Sequence, residues 1–551
     1  MDSSNEENTM YMDLNEYQTK LDAELKESVS RDVWNDLIEY LDTIPFLKWL
    51  ASSGETRGYA KDKERDDDNR IIVDITRPHI LEDMDYFRER AIFYEQNGKY
   101  TDIRPNPNPK SDYAKFWAEE QRKWKEGVVR ESDGEWIPGM FYFYLNYSPI
   151  WINVEEKITS GKNTGKVRGK RIRKFPKPWL GDYLFFHYLE MSRNNGHHAK
   201  LLKCRGVGFS YKTGAMSPCF MYTEPGLPNF HLASDKTFLE GEKGVFGKVV
   251  DTLDWIAEQT PLAKLRLADR PLEKQLGYKD EYGVKKGLKS SVYGISLRDA
   301  PEKARGVRGP LIHYEEDGLF PNLETAWGVN RKAVEDGDIV YGLMIAGGTG
   351  GTQGASFEGS EKLFYSPTAY NIQSVRNVFD KNAASTAVCG FFWGAYLNRA
   401  RCYNEDTGEP DVIKATIEIL RDREIVKKGS LDPLALTQKK AEEPMTPQDA
   451  IMRISGTIFP TADLKDCKEV ILSQGEAFFE SHYIGELVRD PIGGVVWKPN
   501  RDLYPIRKFP HSNNKIEGAL EIFEMPKAAN GTKPIAGRYI IGHDPVNTSA
   551  A

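Results

Sequence analysis

The residues best suited to do chemistry lie in the stretch LLKCRGVGFSYKTG, residues 201–214. A short apolar run, Leu201 and Leu202, enters a loop carrying Gly206 and Gly208, and Ser210, Lys212 and Thr213 then open a predicted helix. Strand, glycine loop and helix is the order in which backbone N–H groups and a helix N-terminus can cradle phosphate oxygens. Against the pattern GxxxxGK[ST], Gly208 and Ser210 stand where the last glycine and the hydroxyl belong. Phe209 replaces the pattern's lysine, and Lys203 replaces its first glycine. Phosphoryl transfer still needs a cation, because the phosphate oxygens gain charge in the transition state. Lys203, at the strand end of the loop, can lean across the same phosphates, and Arg205 can supply a second charge. Small glycine turns are also ordinary packing devices, and a loop with no lysine in place, taken alone, reads as one.

Two further segments carry acids and a hydroxyl. Residues 305–317 read RGVRGPLIHYEED, a predicted buried strand, 311–314, ending in Glu315 and Glu316. Paired acids at a strand end suit one carboxylate on the metal side, Glu315, and one that polarises an attacking water, Glu316. The usual first acid is Asp, and the longer arm of Glu315 leaves open whether it meets Mg²⁺ directly or through water. Acidic clusters at strand ends are frequent in any case. Residues 338–352, DIVYGLMIAGGTGGT, form an apolar strand ending in small residues and Thr349.

These segments need a scaffold. The chain has 551 residues, 40% hydrophobic and 28% charged, which suits several packed domains. No apolar run is long enough to span a membrane, and the acidic N-terminus lacks the layout of a signal peptide. Five scattered cysteines without a CxxC pair signal neither a disulfide framework nor a zinc site, and fit a reducing cytoplasm. A net charge of −7 confines any nucleic-acid contact to a local basic patch. Residues 157–177 offer one, with Lys162, Lys166, Arg168, Lys170, Arg171, Arg173, Lys174 and Lys177. The run can track a phosphate backbone or stand as a solvated loop between strands.

Hydrophobic spacing predicts a helix over 32–43, stopped by Pro45, a solvated loop over 61–70 and a strand over 71–75. Residues 84–150 are rich in Phe, Tyr and Trp and read as a packed α+β region. Beyond the glycine loop come a strand over 230–233 and a helix over 238–256, with Val245, Val249, Leu253 and Ile256 on one face. Alternating β and α argues for a parallel sheet. A charged helix follows over 412–428.

The displaced lysine followed by RxGxS-like residues resembles the deviant Walker A of large terminase subunits from tailed bacteriophages. The order PNP-x(3)-YxxFWxEE then WIxGxxYFYLNYxPI is similar to the N-terminal region of large terminases from crAss-like and other large phages. The RG segment before residue 311, the strand ending at Thr349, and the order EEPMTPxxA…GxxFP resemble further terminase motifs. RYIIGHD, residues 538–544, resembles the first strand of the terminase nuclease.

The resemblance implies an α/β protein whose core is an ASCE-type P-loop NTPase with a mostly parallel sheet. It implies an N-terminal α+β accessory region over 1–135, the core over 136–370, and a lid and linker over 371–515. Residues 516–551 would begin an RNase H-like nuclease that is truncated here. The implied function is ATP-driven packaging of double-stranded DNA into a preformed capsid, with ATP and Mg²⁺ as cofactors. Lys203, Arg205 and the loop residues Gly206, Val207, Gly208, Phe209, Ser210 and Tyr211 would hold phosphates, and loss of Lys203 is expected to harm hydrolysis more than loss of Lys212. Ser210 and Glu315 would hold Mg²⁺, Glu316 would orient water, and Thr349 would sense the γ-phosphate. Trp179, Asp182 and Tyr183 are candidates for the adenine, against plain helix packing. Arg305 and Arg308 are candidate fingers for a neighbouring subunit, against surface salt bridges. Asp544 would be the first nuclease metal ligand, and with no acid among the seven residues after it the chain is not expected to cut DNA. Implied partners are the portal protein, the small terminase subunit and further copies in a ring, in the host cytoplasm with no membrane. Two other readings share some of these residues. They are a P-loop helicase or translocase, and a structural protein with a decayed loop, for which Phe209 speaks.

Overall fold

Residues 199–203 and 311–315, AKLLK and LIHYE, are short runs buried at every position, the pattern of strands covered on both faces. In the computed structural model, the described residues are 29–51, 64–65, 71–72, 83–157, 167–262, 265–297, 308–337, 339–350, 357–404, 407–432, 434–451, 470, 483–491, 494–500 and 520–522. The chain divides into two compact units, residues 1–473 and 474–551.

The first unit is a mixed α/β structure around an eight-stranded sheet. Its strands are β1 (Ala199–Lys203), β2 (Pro228–Ala233), β3 (Arg266–Arg270), β4 (Glu273–Leu276), β5 (Ser291–Ser296), β6 (Leu311–Glu315), β7 (Leu343–Thr349) and β8 (Phe391–Trp393). They lie in the order β8-β1-β7-β6-β2-β5-β4-β3. All pairings from β8 to β5 are parallel, and β4 and β3 close one edge antiparallel. In register, Glu315 of β6 faces Gly347 of β7, and Thr349 of β7 faces Lys203 of β1. The C-terminal ends of β1, β7 and β6 therefore stand side by side, where open parallel sheets present ligand sites.

Helices cover the sheet: α1 (Arg31–Thr43), α2 (Asp112–Glu126), α3 (Gly139–Tyr147), α4 (Leu180–Asn194), α5 (Phe209–Thr223), α6 (Val245–Gln259), α7 (Val412–Gly429) and α8 (Ala435–Glu442). Ser30 caps α1 by accepting from the Val33 amide, and Pro45 opens a second helix, Pro45–Ala51, instead of merely ending the first. α6 starts seven residues later than its predicted start at 238, after a 3₁₀ turn at Lys236–Phe238, yet Val245, Val249, Leu253 and Ile256 are all buried as the spacing requires. Glu120 of α2 is buried among the aromatics and accepts hydrogen bonds from the Tyr142 and Tyr147 hydroxyls, each 2.7 Å. That aromatic region, one face of the sheet and residues 391–451 share one hydrophobic core, while Leu232, Ile312, Tyr314 and Met344 belong to a second. The expected boundaries at 135/136 and 370/371 fall inside this unit.

The basic run is not a plain loop. Ile150–Lys157 and Val167–Lys174 pair as an antiparallel hairpin, and Glu156 makes ion pairs of 2.6 Å with both Arg168 and Lys170. The strand expected over 71–75 is described only at Ile71–Ile72, which pairs with Glu64–Arg65 inside the predicted solvated loop. In the second unit, Tyr483–Arg489 pairs antiparallel with Val495–Pro499 and with Leu520–Ile522. Residues 538–544 with Asp544, and also Lys162, Lys166, Arg305 and Cys467, lie outside the described residues. Among the described residues no helix is long and apolar enough to cross a membrane. The four described cysteines are buried and unpaired by disulfides.

His231 of β2 and His313 of β6 sit opposite each other in register, wholly buried, with their Nδ1 atoms 3.0 Å apart. Ser217 of α5 hydrogen-bonds His231 Nε2 at 2.8 Å. Burial pushes the His231 imidazole down to about 3, so it stays neutral in the fold while an unfolded histidine protonates near its ordinary value. The stability it contributes is present above that ordinary value and is lost as pH falls toward the folded one. Urea midpoints should drop as pH is lowered from about 7.5 to about 5, and more shallowly in His231→Gln.

Candidate functional site

The glycine loop runs from Cys204 to Gly208, between β1 and α5, with Gly206 and Gly208 both left-handed at φ 86° and 68°. Its two ends are pinned by other elements: the Cys204 amide donates to Trp393 O of β8 and the Arg205 amide to Glu442 O of α8. The amides of residues 206–210 have no protein acceptor among the described residues, so a concave row of N–H donors lies at the start of α5. Phe209 turns inward and is buried against Phe185 and His313, with Lys203 Nζ 5.3 Å above its ring centroid. Phe209 is thus a core plug at the start of α5, with the Lys203 ammonium on the strand beside it.

Lys203 Nζ stands 3.2 Å from Glu316 Oε1. The other oxygen of Glu316 accepts from the Thr349 amide and from Thr349 Oγ1, both at 2.9 Å. Ser210 Oγ donates to Glu315 Oε1, while Glu315 Oε2 is buried without a hydrogen-bond donor and lies 3.3 Å from His313 Nε2. Burial, reinforced by the neighbouring Glu316 charge, pushes the Glu315 carboxyl up to about 7. Burial acts on Glu316 in the same sense, but the Lys203 charge and the Thr349 hydrogen bonds outweigh it and hold that carboxyl below its usual range. Adjacent acids are thereby set to different protonation tendencies.

Two clefts flank the loop. A cleft of about 600 Å³ is lined by Lys203, Arg205 and loop residues 206–211, by Glu316 and Thr349, and on its far wall by Arg171, Lys243 and Lys248. Five cations against Glu316 and Glu442 give it an excess of positive charge. A second cleft of about 420 Å³ shares Gly206, Val207 and Gly208 and is walled by Ile150, Ile152, Phe175 and Trp179, with Tyr403 and Asn398. Trp179 and Tyr403 have ring centroids 4.1 Å apart, and Asn398 Nδ2 donates to Gly206 O at 3.4 Å.

The structure thus brings together Lys203, the 206–211 loop, Glu315, Glu316 and Thr349, with Trp179 at the second cleft. Arg205 lines the first cleft but its guanidinium pairs with Glu442 at 2.7 Å. Tyr183 is not brought in: it is buried, stacks on His187, donates to Glu135 and lines neither cleft. Arg308 is exposed and outside both clefts. Sequence reasoning missed Arg171 as a wall of the first cleft, Tyr403 facing Trp179, and Glu442 on the loop. Spacing gives no signal for these, because the hairpin and the segment from Tyr403 to Glu442 meet the loop only through the fold.

Lys212 has a different place from Lys203. Its ammonium lies beneath the loop, donates to Val207 O and forms a buried ion pair of 2.9 Å with Asp182 of α4. Removing one member of such a pair leaves the other charged and unsolvated. Lys212→Ala should therefore cost about 3–5 kcal/mol in equilibrium unfolding, and Lys203→Ala less, because its partner Glu316 is 22% exposed where Asp182 is 2% exposed.

No family model matches the chain, and no curated protein matches it. Among solved structures, the large terminase ATPase domain of Thermus phage P74-26, in a mutant form, shares 15% identity over 49% of this chain and 94% of that one, with a TM-score of 0.31. A second structure of the same domain gives 16%, 45%, 88% and 0.27. The large terminase of the thermophilic bacteriophage D6E gives 10%, 32%, 39% and 0.23. Likeness at this level leaves the site to be read from its own geometry.

Proposed function

We propose that this protein is an ATPase of the P-loop class that drives double-stranded DNA into a viral capsid. The observation that carries the ATPase reading is the carboxylate of Glu316 held between Lys203 of β1 and Thr349 of β7, beside the Ser210–Glu315 contact. Loop, acids and hydroxyl come from three adjoining parallel strands, with β7 inserted between the strand that bears the loop and the strand that bears the acids.

In this reading the amides of 206–210, Lys203 and Arg205 bind the phosphates. Trp179, Tyr403 and the hairpin residues Ile150 and Ile152 offer a flat apolar place for a base. Glu316 orients the attacking water, and Thr349, bonded to the same carboxylate, registers its displacement. The donor set fits Mg²⁺: a serine hydroxyl and one carboxylate with an unsatisfied oxygen, the sparse protein ligation typical of an ion that also takes phosphate oxygens. That ion would neutralise charge on the phosphates. DNA, the portal, the small subunit, a ring of copies and the cytoplasmic setting rest on the motif resemblance, as do the nuclease role of Asp544 and the finger roles of Arg305 and Arg308.

Purified protein should hydrolyse ATP, and DNA should stimulate the reaction. Lys203→Ala should lower turnover about 10²–10³-fold, the range for loss of one charge-stabilising group. Glu316→Gln should bind ATP yet scarcely turn it over, because the amide keeps the shape but takes up no proton. Turnover unchanged in both variants would remove this site as the seat of hydrolysis, and no hydrolysis by the unsubstituted chain would remove the ATPase reading.

The hairpin is the proposed DNA contact. Arg168 and Lys170 project to solvent from it and, among the described residues, share only Glu156. Their joint replacement by Ala should lower the slope of log affinity against log salt by about two, near one per phosphate contact. An unchanged slope would place DNA elsewhere.

A further inference from the structure

Glu316 is followed by a third acid, Asp317, which takes no part in either cleft. Asp317 is wholly buried and forms an ion pair with Lys200 of β1, itself wholly buried. Lys200 Nζ also donates to Ser360 Oγ at 2.8 Å and to Leu201 O at 3.2 Å, and Ser360 Oγ lies 3.3 Å from both Asp317 oxygens. Ser360 belongs to the helix Glu358–Tyr365, so the cluster joins β1, the turn after β6 and a third element.

Strand geometry explains the arrangement. Side chains three apart on a strand point to opposite faces, so β1 sends Lys203 to one side and Lys200 to the other. The consecutive acids divide in the same way: Glu316 takes the cation on one face of the sheet and Asp317 the cation on the other. Glu316 pays for its place with a left-handed backbone, φ 50°, which a residue with a Cβ adopts only under outside constraint. The turn that follows, Asp317–Leu319, is short, and its anchor in the core is the Asp317 carboxylate. β7 makes room for that carboxylate, since a Cβ on Gly348 would sit 2.5 Å from Asp317 Oδ1.

Buried ion pairs add little net stability compared with apolar residues of similar volume, so stability alone does not account for this one. We propose that Lys200, Asp317 and Ser360 are positioning residues that hold the Glu316 backbone left-handed and so aim its carboxylate between Lys203 and Thr349. The proposal rests on the role of Glu316 in ATP hydrolysis given above.

The test compares the full chain with Lys200→Met/Asp317→Leu, which removes both charges together, and with Ser360→Ala, which keeps them. Three quantities are read: the thermal midpoint, affinity for a fluorescent ATP analogue, and kcat. The double variant should melt no lower than the parent, because apolar replacement of a buried pair is neutral or stabilising. It should bind the analogue as the parent does, with kcat reduced on the order of 10–100-fold, the range for partners that orient a reacting group. In a Glu316→Gln background the same replacement should cause no further loss, since both changes act through one carboxylate. A folded double variant with parental kcat, or a loss that adds fully to that of Glu316→Gln, overturns the proposal while leaving the ATPase reading intact. Should the double variant fail to fold, Ser360→Ala decides, and parental kcat in it overturns the proposal. An unsubstituted chain that neither binds nor hydrolyses ATP removes the ATPase reading itself, and this proposal with it.

Discussion

A carboxylate at the end of β6 can reach a lysine on β1 only by crossing β7, the strand between them. This crossing is the constraint on which the site depends. β7 ends in Gly347, Gly348 and Thr349. A Cβ on Gly347 would lie 2.4 Å from the Phe209 ring. With no side chains at 347 and 348, Phe209 packs under one side of the strand and Asp317 passes close to the other. Thr349, one residue further on, has the reach to bond Glu316 directly. The small residues of β7 are therefore required by what lies on either side of them.

The same layout sets the electrostatics. β1 carries two buried lysines, and the turn after β6 answers with two acids, one for each. Glu315 is left without a lysine of its own. Its hydrogen-bond partner is the Ser210 hydroxyl, its other oxygen only approaches the His313 ring, and burial raises it to about 7. Such a carboxyl gains from any cation placed beside Ser210, whereas Glu316 is already held as a carboxylate by Lys203.

The loop owes its shape to its surroundings more than to its own sequence. β8 and α8 take its first two amides, Lys212 and Asp182 prop it from beneath, and Phe209 fixes the start of α5 in the core. The aromatic region over 84–150 belongs to this support. Lys212 stacks over Tyr144 and Trp393, tying α3 and β8 to the base of the loop. Glu442 of α8 binds both the amide and the guanidinium of Arg205, so α8 is mechanically joined to the loop that carries the row of amides.

What the sequence alone determined was local. Apolar runs at 201–202, at 311–314 and ahead of Thr349 marked strands that the structure extends over 199–203, 311–315 and 343–349, and glycines at 206 and 208 marked a loop whose φ values only glycine adopts easily. That Lys203, Ser210, Glu315, Glu316 and Thr349 would lie near one another was legible because each sits at a strand or loop end, whereas the bond of Thr349 to Glu316 was not. Strand order was not legible. Nothing in the spacing says that β7 comes between β1 and β6, and it is that order which lets Lys200 meet Asp317 across more than a hundred residues. Nor did spacing reveal that Tyr183 lines neither cleft, that Lys212 is buried, or that Arg171 lines the cleft of Lys203 and Glu316. These depend on which face of a helix or hairpin the rest of the chain covers, and burial of that kind is fixed only when distant segments pack.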